Sequence, residues 1–252
     1  FSNSRSNNFS ESENSSREEN GTLKNDSKSK SSSENESNNF SNSINFNKSF
    51  EKKTRNLSVV LNNNNNTSNS SGITQSETNY YTTQTSDKRN QNNLSDNSND
   101  SYSAEIEYTE PVTDSIRFKI GLEYNYSNSV NDAKTYNFNT TDQAYSDLNI
   151  FQSNYTTSTQ NSITPKAGIR FEKNKFSVDI NSSSSIVQYD NFSNYLNQAT
   201  DLNKKYILPN LSGQVRYKID RSKTLTTRYN YSVSLPSSNQ LLPIVNLSNP
   251  LN

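Results

Sequence analysis

Ionisable side chains recur at alternate positions in the most regular stretches of this 252-residue chain, and that spacing limits the chemistry open to them. Arg117, Lys119 and Glu123 share one parity, as do Lys166 and Arg170, then Arg216 and Lys218, with Arg228 on the following run. A period of two puts such residues on one face of an extended strand. There they can line a water-filled path and select a solute by charge, or keep a wetted wall stable through cross-strand pairs. The second use asks less of the sequence and is the default for all of them. Glu105 and Glu107 are the residue types of a glycosidase acid/base pair, yet strand alternation produces their spacing unaided. With 0 His and 0 Cys there is no imidazole base, no triad of the usual kind, no thiolate nucleophile and no His- or Cys-ligated metal. The chain is therefore not expected to be an enzyme, and no catalytic residue, metal ligand or cofactor is assigned.

The elements that carry these charges are hairpins. Leu211, Val215, Tyr217 and Ile219 share a parity with Leu225, Tyr229, Tyr231 and Val233, while Arg216, Lys218 and Arg228 share the other; Asp220 to Lys223 form the turn. The pattern repeats at Phe40–Phe50 with Leu57–Leu61, at Tyr102–Tyr108 with Ile116–Tyr126, and at Ala167–Phe171 with Phe176–Ile180. Strands are expected over 102–108, 116–126, 165–171, 176–188, 211–219 and 225–233, paired as consecutive antiparallel hairpins. Turn centres near 52, 112, 174 and 222 predict one rim of short turns. The polar stretches 62–99, 127–154 and 189–204 predict long loops at the opposite end, with Tyr80 and Tyr81 extending a strand into the first. This is the up-and-down rhythm of an outer-membrane barrel.

Composition favours the same reading. The chain has 45 Asn and 46 Ser and only 27% apolar residues, too few for an ordinary closed core. A barrel in lipid needs apolar residues on one face only, because the bilayer supplies the other half of the contact. Disorder is the other outcome of low hydrophobicity, but 15 Tyr and 11 Phe argue against it beyond residue 40. Residues 1–39, rich in Ser and Asn, are expected to be a flexible tail or polar loop, and residues 40–252 a partial barrel wall of about eight strands. The 25 basic and 25 acidic residues cancel, so nucleic acid is not an expected partner. Tyr124, Tyr126, Tyr217, Tyr229 and Tyr231 are candidates for the lipid-facing side and its aromatic girdles, where a phenol places its ring in lipid and its hydroxyl in water. The chain opens on Phe1 and contains no Met, and it is expected to be an internal piece of a longer protein.

Three segments resemble a known family: Tyr108-Thr109-Glu110-Pro111-Val112, Leu208-Pro209-Asn210-Leu211, and Ser234 through Leu251 with its Pro236, Gln240, Leu241, Pro243, Val245, Asn249, Pro250 and Leu251. They are similar to the barrel region of the Bacteroidota outer membrane β-barrel family, kin of TonB-dependent receptors. In that family a YTEPL-like turn precedes a long strand and a P-x-x-x-Q-L-x-P-V-x-D-N-S-N-P-L segment follows. Leu247 departs from it, standing where a polar residue is usual. The resemblance covers roughly residues 40–252. It implies an all-β, antiparallel, transmembrane barrel in the bacterial outer membrane with lipid as its surroundings. It also implies nutrient uptake, energised by a TonB system through a plug domain that this sequence lacks, on an unidentified substrate. The competing expectation is a secreted or surface β-rich adhesin without transport activity, whose strands would close two sheets in water.

Overall fold

A computed structural model describes residues 1–235. Ten strands account for nearly all of them: β1 (Ser2–Arg17), β2 (Leu23–Ser49), β3 (Asn56–Tyr80), β4 (Thr85–Pro111), β5 (Ile116–Asn139), β6 (Ala144–Leu148), β7 (Asn154–Lys173), β8 (Phe176–Tyr195), β9 (Gln198–Lys218) and β10 (Thr224–Ser232). They form one antiparallel up-and-down sheet in chain order, with β6 a short excursion that pairs with the end of β5 and lets β5 pair onward with β7. The sheet is an open wall, with β1 and β10 at its edges. The last of the family-like segments, from Pro236 onward, lies outside the described residues.

All six expected strands are present and pair as hairpins; Ile116 to Tyr126 meets β4 across the 112–115 turn. Length is where the sequence misleads. β2 and β4 are 27 residues each and β3 is 25, roughly two and a half to five times the alternating runs they contain. The expected tail at 1–39 forms β1 and the first part of β2. The expected loops at 62–99, 127–154 and 189–204 are mostly strand, connected by residues 81–84, by the 140–153 excursion and by a two-residue turn at Leu196 and Asn197. The number of strands rises accordingly, from about eight to ten.

The physical reason lies in the register. β2 and β3 pair without a bulge from Asn25↔Tyr80 to Ser49↔Asn56, so a ladder nucleated by Ile44, Phe46, Val59 and Leu61 runs on through residues that have no apolar face. Small polar side chains then satisfy one another across strands. Ser43 donates to Asn62 at 2.7 Å, Asn62 to Ser103 at 3.0 Å, Asn65 to Asp100 at 2.6 Å, and Thr78 to Ser27 at 3.0 Å. Opposite charges stand directly across at Glu11↔Lys30 and Glu13↔Lys28. Such pairs each add only a few tenths of a kcal/mol to about 1 kcal/mol, but they recur along the whole ladder.

The two faces differ in shape as well as chemistry. Apart from Pro111 at a strand end, the buried residues are Ser27, Thr78, Gln91, Thr135, Ser162, Thr164, Val187, Tyr189, Asn191 and Ser193. Followed through the register, all of them fall on the face of Lys166. The large apolar strand residues, among them Ile44, Leu61, Ile106, Ile120, Leu122, Ile180, Ile207 and Leu225, are exposed on the other face. The sheet is thus curved, with its charged face concave and its apolar face convex.

The apolar residues form a band rather than a full face. On β5 it runs from Ile116 to Tyr126, on β4 from Tyr102 to Tyr108, on β8 from Phe176 to Ile186 and on β9 from Ile207 to Tyr217. The β5 run is about 33 Å long, or about 25 Å high at a strand tilt of about 40°, which is the height of a transmembrane barrel's apolar girdle. Each run abuts the same set of turns, 50–55, 112–115, 174–175 and 219–223. Those turns are neighbours: Lys52 pairs with Glu110, the Glu172 amide donates to Ser115 O at 2.7 Å, and the Lys218 amide to Lys175 O at 2.8 Å. Beyond the band the strands continue with mainly polar residues on both faces, so β4 as a whole stands about 65 Å tall at the same tilt.

Candidate functional site

The concave wall at the level of the band carries a lattice of charges that the register dictates. Glu105 lies directly opposite Glu123, and Arg117 directly opposite Arg170. Like charges so placed repel unless a third strand supplies counterions. It does: Lys166 Nζ donates to Glu105 at 2.7 Å and to Glu123 at 2.5 Å, while Asn125 gives Glu123 a further bond at 2.8 Å. Glu172 accepts from Arg117 at 2.8 Å and from Arg170 at 3.2 Å, and Arg170 reaches Asp179 at 3.7 Å. Lys119 pairs with Glu107 at 2.9 Å.

Every charged residue anticipated for a wetted wall, Arg117, Lys119, Glu123, Arg170, Arg216, Lys218 and Arg228, sits on this one face together with Lys166. Five of the eight, Lys166 among them, enter the lattice. Arg216, Lys218 and Arg228 stand apart on β9 and β10, and none makes an ion pair among the described residues; Arg228 Nε donates to Gln214 at 3.1 Å. Glu105 and Glu107 are each paired with a different lysine rather than aimed at a common point. Glu172 and Asp179 are the residues that sequence reasoning missed, the first because it reads as turn. Asp179 was legible, since it alternates with Val178 and Ile180.

Between these charges the wall is hollowed. Gly121 and Gly168 face the concave side on adjacent strands, and a Cβ on Gly168 would lie 2.5 Å from Asn181 Oδ1 and 3.3 Å from Ile180 O. The trough they leave, about 270 Å³, is lined by Lys119, Lys166, Asn181, Ser183, Ser212 and Asn230 among others. Amides, hydroxyls and charged groups share its lining with apolar surface from residues such as Ala167 and Leu211.

The five tyrosines occupy the opposite, convex face. Tyr124 and Tyr126 end the band on its far side, where Tyr102 and Tyr126 stack with centroids 6.1 Å apart and Tyr124 OH donates to Asn161. Tyr217 lies near the turn end, and Tyr229 stands opposite Gly213 in mid-band. At the turn end a second cluster appears. Glu110 Oε1 accepts from Lys52 and Arg55, both at 2.8 Å, and its Oε2 accepts from Tyr108 OH at 2.6 Å. Tyr108 in turn meets Phe50 edge to face at 6.4 Å. Glu110 and Tyr108 belong to the Tyr-Thr-Glu-Pro segment of the sequence. Their role in locking two neighbouring turns together depends on Lys52 and Arg55, more than fifty residues earlier, and so was not legible locally.

A wall that is charged within and apolar without, with a band of membrane height, is the geometry of a membrane barrel, and a family model decides the matter. The model of the outer membrane protein beta-barrel family matches residues 48–252. The chain belongs to that family. This outer-membrane barrel protein therefore resides in the bacterial outer membrane, crossing it by strands. No curated protein matches the chain. In such barrels a charged face suits a wetted interior and an apolar band suits lipid.

Proposed function

We propose that this outer-membrane barrel protein forms the wall of a receptor or transporter for nutrient uptake, of the TonB-dependent type found in Bacteroidota. The observation that carries the reading is the concave face: a largely polar wall over β4, β5, β7, β8, β9 and β10, hollowed at Gly121 and Gly168, with Arg216, Lys218 and Arg228, which make no ion pair among the described residues, on its last two strands. A purely structural wall needs no trough. The likeness of the Tyr108–Val112 and Ser234–Leu251 segments to relatives of TonB-dependent receptors supports the energised form of uptake. In this reading the tight turns face the periplasm and the tall polar extension faces outward.

The test is physiological and uses the complete gene. Its deletion should abolish growth on one class of scarce nutrient, and inactivating the inner-membrane energy-coupling complex in the wild type should reproduce that defect. Uptake that survives loss of coupling would reject the TonB-dependent form, and no growth or uptake phenotype on any nutrient class would reject transport. The polar extension beyond the band favours a second reading, a surface barrel that adheres to glycan or to another cell. On that reading deletion lowers attachment and leaves uptake intact.

A further inference from the structure

Charge is polarised along the strands of a protein whose total is zero. The segments 48–56, 110–117, 172–175 and 218–223 at the tight-turn end hold ten Lys or Arg against five Asp or Glu. The segments 17–24, 80–85, 139–154 and 195–198 at the far end hold two against four. Placement on the faces sharpens the contrast. Lys48 shares the convex face with Leu57, Lys173 with Phe176, and Lys223 continues the parity of Leu225 into its turn. All three are exposed, lie at the turn-side border of the apolar band, and make no ion pair among the described residues. Lys48 Nζ rests 5.3 Å from the centre of the ring of Phe50, the last aromatic before the turn, which places its charge at the border. On the same face just above the band stand Asn63, Asp100, Asn128, Asn161 and Lys205, which carry no net charge.

A lysine at the edge of a hydrocarbon layer whose ammonium pairs with no carboxylate among the described residues meets whatever charge the headgroup layer offers. Phosphate supplies three donors' worth of acceptors at that depth. We propose that Lys48, Lys173 and Lys223 form a collar that binds the headgroups of anionic phospholipids in the leaflet on the tight-turn side. The collar fixes the height of the barrel and marks that rim as the one bathed in phospholipid. Glu110 does not compete for these lysines, because Lys52, Arg55 and Tyr108 already occupy its oxygens.

The test uses the complete protein reconstituted in phosphatidylcholine vesicles containing spin-labelled phosphatidylglycerol or spin-labelled phosphatidylcholine, with the motionally restricted fraction read by electron spin resonance. The unmodified protein should retain the anionic probe about fivefold better, as expected when a headgroup gains one lysine contact, and 0.5 M salt should erase most of that preference. The triple variant Lys48→Gln, Lys173→Gln, Lys223→Gln should lose it. The far-end triple Lys28→Gln, Lys30→Gln, Lys88→Gln, with the same change of net charge, should keep it. Equal retention of both probes by the unmodified protein would overturn the proposal. So would equal loss in the two triple variants, which would reduce the effect to net charge, or displacement of the anionic probe by lipopolysaccharide in preference to unlabelled phosphatidylglycerol.

Discussion

Ile120 and Asn128 lie on the same face of the same strand, and only height separates them. Taking Ile116 as the lower limit of the band, Ile120 sits about 10 Å up and Asn128 about 30 Å up, at a strand tilt of about 40°. The first is close to the middle of a hydrocarbon layer about 25 Å thick and the second is above it. Ile120 is 62% exposed on the convex side, flanked by Tyr108 and Ala167, so an arginine there has room and meets no steric penalty from protein neighbours. Its cost is that of placing a guanidinium in lipid, about 2–4 kcal/mol at the midplane, whereas Asn128→Arg should cost no more than about 0.5 kcal/mol. Urea titration of the complete protein in phospholipid vesicles, with the folded fraction read by heat-resistant migration, measures both. Ile120→Arg as stable as the unmodified protein would refute the assignment of the convex band to lipid. A loss at Asn128 as large as that at Ile120 would place the membrane boundary elsewhere on the strand.

Further outcomes follow from the wall and its turns. Lys166→Met leaves Glu105 and Glu123 opposed with no cation between them and should cost about 1–2 kcal/mol, with Glu123→Gln in the same protein restoring part of it; the same titration checks this, and full additivity of the two changes would count against the lattice. At Leu196 the backbone φ is +54°, followed by Asn197 at +60°, a turn conformation that suits Asn or Gly better than Leu. Leu196→Asn should therefore stabilise by about 0.5–1 kcal/mol, and a loss of stability would show that the leucine side chain is needed. The Ser222 amide, then its hydroxyl and the Lys223 amide, hold the Asp220 carboxyl below its ordinary value. A carboxylate depressed in the folded state stabilises above the ordinary range, and that contribution is lost as pH falls through the lowered value. Amide protection at 219–223, relative to the intrinsic exchange rate, should fall on acidification below about pH 4, and the fall should be absent in Asp220→Asn; identical profiles would exclude the carboxylate.

The fold was legible wherever one face is apolar and the other charged, because there the sequence alternates. Phe118, Ile120 and Leu122 against Arg117, Lys119 and Glu123 give both the strand and its faces. Asn62 through Asn66 gives neither, since both sides of β3 are wet at that height and intrinsic preference disfavours Asn in strands. What makes it strand is the partner register inherited from Leu57, Val59 and Leu61. The same blindness hid the tall extension and turned short far-end connections into long loops. It also undercut the contrast of loop lengths as a guide to orientation, since apart from the 140–153 excursion the far-end connections are as short as the others; the position of the apolar band against one set of turns replaces it. For the site, single-strand parity placed each charge on its face, but counterions such as Glu172 for Arg117 come from a neighbouring hairpin and are set by register, which alternation alone does not supply.

The central claim is that the two faces of one strand meet two solvents, and β5 is where it is tested most directly. Single spin labels at Phe118, Ile120, Leu122 and Tyr124, and at Arg117, Lys119 and Glu123, in the complete protein reconstituted in bilayers, can be relaxed by oxygen, which concentrates in lipid, or by a water-soluble nickel chelate. The first set should respond to oxygen with a maximum between Ile120 and Leu122, and the second to the chelate, giving two profiles out of phase with a period of two. In-phase profiles, or relaxation of Ile120 and Leu122 by the chelate as strong as that of Lys119, would contradict the account.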